Sequence, residues 1–121
     1  MTEVKKAQQR AAVTSPVITN SLLRLNGVTG VPPSPFERPN NKMAFFVLEL
    51  GLHDNVGSWC TRTAKALSRH DEFLRQKRAG GAELTLFVES ALAVRVLRFD
   101  AGFLGILAAA GISLECSHEP A

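Results

Sequence analysis

Residues 82–89, Ala-Glu-Leu-Thr-Leu-Phe-Val-Glu, decide the fold. Leu84, Leu86 and Val88 alternate with Thr85, Phe87 and Glu89, the period of a strand with one buried face. Downstream, Ala93–Arg98 repeats the alternation after Ser90-Ala91-Leu92, so 82–98 reads as a hairpin. Asp100 is suited to cap a helix over 101–110, and Gly111 supplies the left-handed residue that ends one. Ile112–Ser117 then forms a last strand, with Ile112, Leu114 and Cys116 on one side and Ser113, Glu115 and Ser117 on the other.

Upstream, Gly80-Gly81 ends a long helical pattern. Val56, Trp59, Cys60, Thr63, Ala64 and Leu67 fall on one face at helical spacing. The pattern predicts a helix over about 56–78, bent near His70, with Asp54 or Asn55 as its cap. Residues 44–50, Ala-Phe-Phe-Val-Leu-Glu-Leu, read as a strand ended by Gly51. Residues 29–42 hold Pro32, Pro33, Pro35 and Pro39 with no period, which is a loop. Thr19 or Asn20 would cap a short helix over about Ser21–Leu25. Residues 1–16 read as a flexible tail, 17–42 as a proline-rich arm with that short helix, and 43–118 as the α+β domain.

The order from Met43 is strand, helix, strand, strand, helix, strand. That is a ferredoxin-like split βαβ succession, an α+β fold with two helices on one face of a four-stranded sheet. Sorting alternate residues gives a core set of Phe46, Leu48, Leu50, Leu84, Leu86, Val88, Val94, Val96, Ile112, Leu114 and Cys116. The opposite face is mixed: Phe45, Val47, Phe87 and Leu97 lie among Glu49, Glu89, Glu115 and Arg95. A wholly solvated face has no need of those apolar residues, so a cover is expected. Segment 17–36 folding back, a second copy of the chain and a ligand are the three candidates.

Length and charge set the outer limits. A chain of 121 residues is one domain, large enough to bury a core without a metal or disulfide staple. The net charge of +3 belongs to the N-terminal third, where Lys5, Lys6, Arg10, Arg24, Arg38 and Lys42 face only Glu3 and Glu37. These scattered charges read as a solvated tail rather than a nucleic-acid arm. The polar start, Met1 to Arg10, is not followed by an apolar run of signal-peptide length, and no segment has the ~20-residue apolar run that crosses a membrane. A cytoplasmic location with Cys60 and Cys116 reduced is expected.

The closing pattern also carries a resemblance. Alternating aliphatics (Leu84, Leu86, Val88; Val94, Val96) lead to Phe99-Asp100 opening a helix with Phe103, Leu104 and Leu107. Ala110-Gly111-Ile112-Ser113-Leu114 then enters the last strand. Over about residues 44–117 the chain resembles the bacterial family called domain of unknown function 4279, small α+β domains with this closing arrangement. The clear first strand of that family is missing at the front. The resemblance implies a fold and no reaction.

Chemistry-bearing residues are sparse. His53, His70, His118, Cys60 and Cys116 show neither CxxC nor HxxxH spacing, so no metal site is predicted. Gly80-Gly81 precedes a strand rather than a helix, so no phosphate cradle or other cofactor site is predicted. Cys60 with His53 and His70 flanking its helix, and His53-Asp54 as a base with an orienting carboxylate, are the arrangements with enzymatic potential, but Cys60 shares the buried stripe of Trp59 and Thr63 and Asp54 is suited to cap the helix. Phe45 and Phe87 on an open sheet suggest single-stranded RNA, yet the three glutamates beside one arginine repel phosphate. The sequence therefore predicts a non-catalytic module that binds a protein partner or a second copy through Phe45, Val47, Phe87, Leu97 and Arg95. An enzyme or small-ligand pocket around His53 and Cys60 is the alternative, and RNA binding the third reading.

Overall fold

A computed structural model describes residues 16–40 and 42–120. The tail expected over 1–16 thus lies almost wholly outside the described residues. The elements are β1 (Ile18–Asn26), β2 (Phe45–Glu49), α1 (Val56–Arg69), α2 (Asp71–Ala79), β3 (Glu83–Ser90), α3 (Ala101–Ala110) and β4 (Ile112–His118). They form an α+β domain with one four-stranded sheet in the order β2-β1-β3-β4. β1 is antiparallel to both β2 and β3, and β3 is parallel to β4. β2, β3 and β4 therefore all point one way, with β1 reversed among them.

This topology explains why the helices share one face. The connection β2-α1-α2-β3 steps over β1, and β3-α3-β4 steps to the next position in the same direction. Two right-handed crossovers in one direction place their helices on the same side of the sheet. Phe46 and Leu48 of β2, Leu23 and Leu25 of β1, Leu84, Leu86 and Val88 of β3 and Ile112 of β4 meet Trp59, Leu67, Leu74, Phe103 and Leu107 in one buried cluster. Asn55 caps α1, its Oδ1 accepting from Ser58 N at 2.7 Å, and Asp100 caps α3 in the same way from Phe103 N. Gly111 ends α3 at φ +69°, the left-handed conformation that glycine adopts without strain.

Four expectations are corrected. The short helix over Ser21–Leu25 is instead β1, the strand with a partner on each side. A bulge between Ile18 and Asn20 shifts the register there, so Ile18 faces the core along with Ser21, Leu23 and Leu25. The hairpin over 82–98 is instead a crossover. Residues 93–98 form no ladder, Val96 is 78% exposed, and β4 takes the place beside β3. The ferredoxin-like arrangement is not met, because the strand order is β2-β1-β3-β4. Finally there are three helices rather than two, since the 56–78 pattern divides at His70, which closes α1 and opens α2.

The proline-rich segment does not cover the open face. Phe36 is buried against His70 and Phe73, at ring-centroid distances of 5.1 and 4.8 Å. Glu37 and Val47 exchange two backbone hydrogen bonds of 2.8 Å. The segment therefore caps the outer edge of β2, removing an edge that would otherwise invite strand pairing.

Candidate functional site

The face of the sheet without helices is built in rows. Glu49, Leu22, Phe87 and Glu115 lie side by side across β2, β1, β3 and β4. The next row is Val47, Arg24, Thr85 and Ser113. A groove of about 280 Å³ runs between them, lined by Leu22, Arg24, Phe45, Val47, Phe87 and Glu89 among others. Val47 is buried, and Leu22, Phe45 and Phe87 are half-buried. The Arg24 guanidinium lies over the Phe45 ring at 4.1 Å from its centroid, and its Nε donates to Asn26 Oδ1 at 2.8 Å. That pairing flattens a long cation onto an aromatic face and keeps it out of free rotation. At the other end Thr19 donates to Glu89 Oε1 at 3.1 Å, so Glu89 is held as well.

Of the five residues expected on this face, the structure brings together Phe45, Val47 and Phe87. Arg95 and Leu97 do not belong to it. They lie in the crossover between β3 and α3, where Arg95 is exposed and no strand partner fixes it. The cation of the face is Arg24 instead, and Leu22 is its central apolar residue. The signal for both is present in Ser21-Leu22-Leu23-Arg24-Leu25-Asn26. Reading that run at period 2 places Leu22 and Arg24 opposite Ser21, Leu23 and Leu25. Arg24 faces Glu49, Glu89 and Glu115, so the charge balance of the surface is negative and unsuited to a phosphate backbone.

The His53–Cys60 region is differently built. Cys60 is buried, and burial together with the Asp100 charge pushes its thiol up. A nucleophilic cysteine needs the opposite shift. His53 is buried, its backbone N–H and carbonyl bridging Ile18 at 2.9 and 3.0 Å. Burial and the nearby Arg62 charge hold its pKa down. Neither residue lines the sheet-face groove or the groove between the helices described below. Cys116, expected in the core, is exposed on the edge strand β4. Burial of its sulfur still raises that thiol.

Beyond the strands, Ser90 Oγ lies 3.0 Å from His118 Nδ1. Ser90 has no exposed surface, so this pair pins the end of β4 to β3 rather than presenting a nucleophile. Among the described residues, no group of three or more His, Cys, Asp or Glu converges to hold a metal ion, and no helix is long and apolar enough to cross a membrane. A scan against protein-family models and searches of curated proteins and of solved structures return no match to this chain.

Proposed function

We propose that this chain is a non-catalytic, self-associating module whose open sheet face packs against the same face of a second copy. The observation that supports this reading most is the one-sided placement of α1, α2 and α3. It leaves Leu22, Phe45 and Phe87, each half-buried, around the buried Val47 on a face that carries no helix. Two such faces can pack as sheet on sheet, about 10 Å apart with their apolar rows interdigitating. The charges are self-complementary. Across a two-fold axis the single Arg24 of each copy meets a face that carries Glu49, Glu89 and Glu115. A cytoplasmic setting, expected because no apolar run of signal-peptide length follows the polar start, belongs to the same reading. The resemblance to domain of unknown function 4279 carries no reaction and adds none.

Sedimentation velocity of the full chain, from low micromolar to near-millimolar concentration, tests it. The expected result is a concentration-dependent dimer. Phe87→Asp should return the monomer with the circular dichroism spectrum unchanged. Arg24→Glu, which removes no apolar contact from the core, should weaken the dimer in a salt-dependent way. A monomer at every concentration, or a dimer indifferent to both variants, overturns the reading.

A further inference from the structure

On the opposite side of the molecule, α1 meets α3 through the Trp59 and Phe103 rings, 5.3 Å apart, and away from that contact α1 and α2 part from α3. A groove of about 700 Å³ opens between them, within the range of small-molecule sites. Its floor is aliphatic, formed by the nearly buried Leu67 and Leu74, its α3 wall is Ile106 and Ala109, and no aromatic ring lines it. α3 itself, Ala-Gly-Phe-Leu-Gly-Ile-Leu-Ala-Ala-Ala, has no polar side chain on any face. Leu104 and Ile106 are 42% and 44% exposed on it. A helix apolar all round is normally buried on all sides, so this wall presents surface that water wets at a cost.

The polar groups of the groove stand on the α1–α2 side: Ser68, Asp71, Arg75 and Arg78. Asp71 is occupied by Arg75 in an ion pair one helical turn apart. Arg78 is different. Its guanidinium lies against Gly111 at the end of α3, so closely that the glycine has no room for a Cβ atom. Among the described residues no ion pair or hydrogen bond engages it. Leu67 stands near the end of α1 and Arg78 near the end of α2, so the wall is shared by two helices that meet at His70. The trough thus ends at an arginine that rests at the carbonyl end of α3 and that no carboxylate among the described residues pairs with.

We infer that this groove binds a linear aliphatic carboxylate, its chain along Leu67, Leu74 and Ile106 and its carboxylate on Arg78. Guanidinium donors pair with the two oxygens of a carboxylate in a fork that a hydroxyl cannot reproduce. The absence of ring-lined walls favours a flexible chain over a planar ligand. The site is independent of the sheet face.

Calorimetric titration of the full chain with dodecanoate, below its micelle concentration, tests the assignment. Saturable binding of one dodecanoate per chain is expected, with amide shifts in NMR spectra centred on Leu67, Leu74 and Ile106. Dodecanol, which keeps the chain and lacks the charge, should bind at least tenfold more weakly. Arg78→Gln should cost dodecanoate about the same factor and leave dodecanol unchanged. Ile106→Asp should abolish both, while Phe87→Asp, on the far face, should alter neither. Equal affinity for the acid and the alcohol, indifference to Arg78→Gln, or no saturable binding would overturn the assignment without touching the sheet-face reading.

Discussion

Trp59 and Ser21 share a hydrogen bond inside the core. The indole Nε1 of α1 donates to Ser21 Oγ of β1 at 2.9 Å, and that hydroxyl donates to the Gly51 carbonyl at 2.7 Å. Trp59 is fully buried and Ser21 almost so. One hydroxyl thus satisfies a buried indole N–H and a turn carbonyl together, tying α1, β1 and the end of β2 to a single point.

Ser21→Ala should therefore cost far more than the loss of one small side chain. It leaves the Trp59 N–H without an acceptor in the core, a penalty of about 1–3 kcal/mol. The urea midpoint should fall with an unchanged m-value, followed by the fluorescence of the single tryptophan. Trp59→Phe, followed by circular dichroism because the fluorophore is gone, should cost less in the Ser21→Ala background than in the wild type, because the hydrogen bond is already lost there. Additive losses would show that the hydrogen bond contributes little.

The same serine explains why β1 is hard to see in the sequence. A core strand position filled by Ser breaks the apolar alternation, and the bulge near Thr19 shifts Ile18 out of phase. What remains, Ile18, Leu22 and Leu25, fits helical spacing better than strand spacing. The strand 82–89 and the helices at 56 and 101 have neither disturbance, and they were legible together with their caps. Residues 93–98 mislead in the opposite way. Val94 and Val96 alternate as in a strand, yet the Ser90-Ala91-Leu92 turn has no residue suited to positive φ, which tight hairpins require. Alternation reports an extended chain, not a ladder. For the site, Phe45, Val47 and Phe87 were readable because they lie on the two clean strands. Arg24 and Leu22 were hidden with β1.

Because β1 supplies two of the three ladders, removing it should abolish the fold rather than trim an arm. A chain beginning at Asn41 loses Ile18, Leu23 and Leu25 from the core and leaves β2 and β3 without a common partner. Its amide NMR spectrum should collapse to the narrow dispersion of an unfolded chain, and its thermal transition should disappear. A well-dispersed spectrum would mean that β2 and β3 re-pair directly and that β1 is dispensable.

Two glycines separate backbone strain from crowding. Gly51 has φ +77° with open space where a Cβ would fall, and Gly111 has φ +69° with Arg78 in that space. Gly51→Ala should cost about 1–2 kcal/mol from the left-handed conformation alone. Gly111→Ala should add a further ~0.3–1 kcal/mol, since it drives the Arg78 cation from the carbonyl end of α3. In an Arg78→Ala background the two substitutions should cost the same. A difference that persists without Arg78 would place the extra cost in the α3 turn itself.

His53 gives the stability a pH dependence of definite sign. Its pKa lies below the ordinary value of 6.5 because burial penalises the imidazolium and Arg62 adds a like charge. The unfolded chain consequently takes up a proton at a pH where the folded chain does not. Stability is then complete above about pH 6.5 and declines as the pH falls from there toward the folded-state pKa. The residue cannot escape by swinging outward as a whole, since its backbone is bridged to Ile18 on both sides. Urea midpoints measured from about pH 7.5 down to about pH 5 should fall for the wild type. His53→Gln, neutral throughout, should show a shallower decline over the same interval. Identical slopes would mean that folding leaves the imidazole as easily protonated as it is in the open chain, and that the acid sensitivity has another origin.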